Sequence, residues 1–65
     1  MTDESRKKAR VLVVEDDRTL SGVLKYNLFK EGYAVLSAAD GAQALEVARS
    51  EKPDIILLDL SLIHI

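Results

Sequence analysis

Pro53-Asp54-Ile55-Ile56-Leu57-Leu58-Asp59 sets four consecutive aliphatic residues between a proline-aspartate pair and a second aspartate. An apolar run this short, bounded by a breaker and a charge, reads as a strand buried on both faces, as in the centre of a parallel sheet. Asp59 then stands at the carboxyl end of that strand. In open α/β sheets ligands bind just beyond the carboxyl ends of the strands, so a carboxylate carried there is a candidate for chemistry. The plainer alternative is that Asp59 opens a turn or caps a helix.

The same design occurs upstream. Arg10-Val11-Leu12-Val13-Val14 is a β-branched run that ends in Glu15-Asp16-Asp17. Asp17 is placed to cap a helix, since its side chain can accept from an unpaired amide of the first turn. The spacing of Leu20, Val23, Leu24 and Leu28 predicts a helix over about residues 18–31 with one apolar stripe, stopped by Gly32. Residues 33–38 read as a second strand, less uniformly apolar and therefore suited to an edge. Asp40-Gly41 opens a second helix over about residues 42–50, with Ala44, Leu45 and Ala48 on one face. Pro53 ends it by disfavouring helical geometry at Lys52. Strand, helix, strand, helix, strand is an alternating α/β pattern, which implies parallel strands joined by right-handed crossovers.

Composition narrows the class. The chain has 65 residues, 48% hydrophobic and 31% charged, enough for one small globular unit. Its apolar runs fall well short of the ~20 residues that span a bilayer. The basic residues near the amino terminus lack the apolar stretch of a signal peptide, so the cytoplasm is the expected location. Without cysteine there is no disulfide, thiolate metal site or cysteine nucleophile. The net charge of −2 divides into +2 over residues 1–10 and −4 over the rest, so no nucleic-acid surface is expected on the folded part. Residues 1–9 read as a disordered polar tail.

Two of the three strands end in acids. If the first and third are neighbours, about 4.8 Å apart, Glu15, Asp16 and Asp59 project into one small volume. Carboxylates so crowded repel unless a cation intervenes. Mg²⁺ takes oxygen ligands and retains water, and suits such a cluster. There is no glycine-rich phosphate loop and no closely spaced histidine pair, so neither a P-loop nucleotide site nor a zinc hydrolase is supported.

At this point the sequence resembles the receiver domain of two-component response regulators. The matching segments are Val11-Leu12-Val13-Val14-Glu15-Asp16-Asp17, Asp40-Gly41-Ala42-Gln43-Ala44-Leu45 and Pro53-Asp54-Ile55-Ile56-Leu57-Leu58-Asp59-Leu60, with Asp16 and Asp59 43 residues apart. The resemblance implies a truncated flavodoxin-like, doubly wound parallel α/β sheet with strand order 2-1-3. It implies that Asp59 accepts a phosphoryl group from a sensor histidine kinase. It also implies a Mg²⁺ site: Asp16 as a direct ligand, Glu15 through water, and Asp59 and the backbone carbonyl of Ser61 as further ligands. A module of this kind takes part in a phosphorelay and is not a turnover enzyme.

Beyond the third strand, the resemblance implies a hydroxyl residue, a lysine and the surfaces that pass the signal on, none of which this chain contains. Where the family usually has a proline, two residues after Ser61, the chain has Ile63. The expected organisation is therefore the amino-terminal portion of a receiver domain over residues 10–62, in a truncated and inactive fragment. Residues 60–65 are read as an adapter-derived tail, because Leu60-Ser61-Leu62-Ile63-His64-Ile65 is what CTG TCT CTT ATA CAC ATC encodes, DNA resembling a transposon-end adapter. Two other functions stand beside the receiver reading: a Mg²⁺-dependent hydrolase with an aspartyl nucleophile, and a polypeptide without activity. The hydrolase class commonly has a second acid where Ser61 stands.

Overall fold

The computed structural model describes residues 8–58. It contains β1 (Arg10–Val14), α1 (Arg18–Lys30), β2 (Ala34–Ala38), α2 (Gly41–Glu51) and β3 (Ile55–Leu58). The three strands form one parallel sheet in the order β2-β1-β3. From β1 to β2 the chain moves one way across the sheet, and from β2 to β3 it moves back over β1. The right-handed rule for such crossovers puts α1 and α2 on opposite faces, the doubly wound arrangement, and each helix packs beside β1 and β2.

β1 is the central strand and carries the core. Val11, Leu12, Val13 and Val14 are all buried, and Leu12 and Val14 join Ala38 in a cluster covered by Leu36 and by Ala44, Val47 and Ala48 of α2. Ala44, Val47 and Ala48 follow the i, i+3, i+4 spacing of a single helix face. Leu45, expected on that face, is instead 60% exposed, one residue's rotation (about 100°) away from it. On α1 the stripe narrows in the same way: Leu20, Leu24 and Leu28 are half-buried, whereas Val23 is exposed.

The largest departure from the sequence reading is β3. Ile55, Ile56, Leu57 and Leu58, expected to be buried on both faces, are 46%, 50%, 36% and 67% exposed. Among the described residues β3 pairs only with β1, and it contributes nothing to the buried cluster that α2 covers. An aliphatic run specifies a strand that prefers burial; it does not by itself supply the layers that cover the strand.

Local chemistry sets the element ends. Asp17 and Asp40 cap the two helices, accepting from Leu20 N–H at 3.0 Å and Gln43 N–H at 2.8 Å. Gln43 reaches back to accept from Ala39 N–H at 2.7 Å, a variant of the reciprocal capping box. At the far end of α1, Gly32 N–H donates to Phe29 O at 3.0 Å and Tyr33 N–H to Leu28 O at 3.1 Å. These are the two bonds of a Schellman turn, and Gly32 has the positive φ, 97°, that this turn requires. Tyr33 is spent on the turn, which is why β2 begins one residue later than the sequence pattern suggests. A Cβ at Gly32 would meet no atom within 4 Å, so Gly32→Ala tests backbone strain alone. The expected loss is about 1–2 kcal/mol, read from the urea midpoint; an unchanged midpoint would mean that the turn relaxes at no cost.

Lys52 precedes Pro53 and closes α2 in a left-handed conformation, φ 51° and ψ 63°, with its N–H donating to Ala48 O at 3.0 Å. The proline excludes right-handed helical geometry at Lys52, as expected. Lys52 takes the left-handed conformation in place of the extended one usual before proline.

Candidate functional site

The acidic turn after β1 is rigidly built. Glu15 is only 3% exposed, and its N–H donates to Ala38 O at 3.0 Å, tying the end of β1 to the end of β2. Its side-chain Oε2 accepts from the backbone N–H of Asp17 at 2.7 Å. Asp17 in turn caps α1, and its carbonyl accepts from Ser21 N–H at 2.8 Å. Asp16, between the two, is exposed. One acid is thus fixed inside the turn and the next is presented at the surface.

The β1–β3 register brings the third strand to the same end of the sheet. Val11 pairs with Ile55, Leu12 with Ile56, Val13 with Leu57 and Val14 with Leu58. In the chain Val14 is followed by Glu15 and Leu58 by Asp59. Asp59 and Ser61, the other two residues expected at the site, lie outside the described residues, as does the 60–65 tail.

A cleft of about 350 Å³ opens beside the acidic turn. Glu15 and Asp16 line it together with Arg18, Ser21 and Lys25 of α1 and with Ser37, Ala38, Ala39 and Gln43. The sequence reading does not single out the basic pair Arg18 and Lys25. The signal that could find them is their spacing: residues 18, 21 and 25 share one helix face directly after an acidic turn.

Among the described residues, no three His, Cys, Asp or Glu side chains gather closely enough to hold a metal ion. Glu15 and Asp16 nevertheless fit part of a Mg²⁺ site. Both are hard oxygen donors of the type Mg²⁺ selects. A carboxylate as deeply buried as Glu15 also favours a positive charge nearby, because a charge taken out of water is stabilised by an opposite one. Among the described residues, no helix is long and apolar enough to cross a membrane.

A family model described as the response regulator receiver domain matches residues 11–65. The alkaline phosphatase synthesis transcriptional regulatory protein PhoP of Bacillus subtilis (strain 168) is 47% identical over 53 residues. That alignment covers 82% of this chain and 22% of the relative, so the chain spans about a fifth of the length of the curated relative it matches.

Proposed function

Since this chain belongs to the response regulator receiver domain family, we propose that it is a phosphoacceptor module whose Asp59 takes a phosphoryl group from a sensor histidine kinase in the presence of Mg²⁺. The observation that carries the reading is the pairing of Val14 with Leu58, since an acid directly follows each of those residues in the chain. Glu15 and Asp16, with Asp59 and the carbonyl of Ser61, would hold the metal, Glu15 through water.

In the proposed transfer, an oxygen of Asp59 forms the new P–O bond. The donor's P–N bond breaks and its electron pair stays on the imidazole nitrogen. Bound Mg²⁺ supplies charge neutralisation at the phosphoryl oxygens. The buried β1 segment and the hydrogen-bonded turn hold Glu15 in place before the donor arrives, so little reorganisation accompanies the step.

The module reading assigns this segment a signalling role in the cytoplasm, with the kinase as its partner and no turnover chemistry of its own. The transcriptional role in the relative's name belongs to that protein. For this segment the net charge of −4 beyond residue 10 argues against a nucleic-acid surface.

Chelation tests the metal requirement. With acetyl phosphate as donor, EDTA is expected to reduce phosphorylation of the protein to background, and excess Mg²⁺ to restore it. Labelling that persists unchanged in EDTA would rule out the metal-assisted reading.

A further inference from the structure

Asp17 is two residues from Glu15, and its two hydrogen-bonding roles are coupled. Its side chain accepts from Leu20 N–H at 3.0 Å, which fixes where α1 starts and how the chain enters it. Its own N–H donates to Glu15 Oε2 at 2.7 Å. The direction of that N–H is set by the peptide plane between residues 16 and 17, and the cap holds that plane against the helix. Remove the cap, and the amide that restrains the buried carboxylate loses its own restraint.

We propose that Asp17 is a positioning residue for the metal site: by capping α1 it aims its backbone N–H at Glu15 and so sets the carboxylate for Mg²⁺. The inference rests on the metal reading given above. Asp17 acts here through the geometry of its cap, so its negative charge is not what matters. Groups that orient metal ligands from outside the coordination sphere commonly change affinity by about 10–100-fold when removed. Serine and asparagine are as competent as aspartate at this helix position, whereas alanine is not.

Those facts define the test. Mg²⁺ affinity is measured by calorimetry on the wild-type chain and on Asp17→Ala, Asp17→Ser and Asp17→Asn, with far-UV circular dichroism on each. Asp40→Ala serves as the matched control, since Asp40 caps the other helix, α2, through an equivalent bond to Gln43 N–H at 2.8 Å. The expected result is affinity about 10-fold weaker for Asp17→Ala, and within about 2-fold of wild type for the serine and asparagine variants and for Asp40→Ala. Equal weakening in Asp40→Ala would assign the effect to general loss of helix stability and overturn the proposal. Weakening in Asp17→Ser and Asp17→Asn as large as in alanine would assign it to charge and overturn it likewise. Wild-type binding with an unchanged Asp17→Ala affinity would overturn the positioning role alone, whereas no Mg²⁺ binding by wild type would overturn the metal reading and this assignment with it.

Discussion

Asp59→Asn is expected to abolish phosphorylation by acetyl phosphate and by a cognate kinase, leaving no hydroxylamine-labile phosphate on the protein. Asparagine keeps the shape of the side chain but replaces the nucleophilic carboxylate with an amide, which cannot form the acyl phosphate. The fold should not respond, because the described core is built from β1, β2 and α2. Asp54 provides an internal comparison on the same strand segment. Its Oδ2 accepts from Arg10 N–H at 2.8 Å, at the opposite end of β3 from Leu58, so Asp54→Asn should still be labelled. Intact-mass measurement of phosphorylated wild type and both variants decides the matter. Equal labelling of wild type and Asp59→Asn would reject Asp59 as the acceptor.

The second large effect is on folding. Leu12 is fully buried in the middle of the central strand, and Leu12→Ala is expected to cost about 2–5 kcal/mol. Chains below about 70–80 residues rarely draw more than about 3–5 kcal/mol from a single core. The variant should therefore be largely unfolded at 25 °C, seen as loss of helical circular dichroism and of a cooperative urea transition. Leu45→Ala removes the same atoms from a position 60% exposed, and should change stability by no more than about 0.5 kcal/mol. Comparable losses in the two variants would mean that α2 packs through a different face from the one formed by Ala44, Val47 and Ala48.

Much of this fold is legible in the sequence because its punctuation is local. Asp17, Gly32, Asp40 and Pro53 each act on backbone groups within a few positions, and each lies at or beside an element boundary in the structure. The parallel order follows from alternation and handedness, which are also properties of short segments. Burial is different. Ile55–Leu58 and Val11–Val14 are similar aliphatic runs, yet one is exposed and the other buried, because burial depends on the layers above and below the strand. The same limit explains Leu45 and Val23: apolar character marks a broad arc of a helix, and packing selects the part of the arc that is used. At the site, the acids at Glu15 and Asp16 could be read from their place after a strand. The hydrogen bond from Asp17 N–H to Glu15 could not, since a main-chain donor leaves no mark in residue identity.

Arg10 and Asp54 stand at the end of the sheet away from the acids. Arg10 N–H donates to Asp54 Oδ2, and Asp54 N–H returns a bond to Arg10 O at 2.9 Å. The Arg10 guanidinium also bonds the backbone carbonyl and the carboxylate of Glu51, the latter at 2.8 Å. This arrangement works as an alignment pin. A slip of one residue between β1 and β3 would displace the strands by about 3.3 Å and turn every side chain to the opposite face. The pin forbids that slip from four residue pairs away, at the start of a ladder running from Val11↔Ile55 to Val14↔Leu58. The register that sets Val14 beside Leu58 is thus fixed by a contact that takes no part in the chemistry.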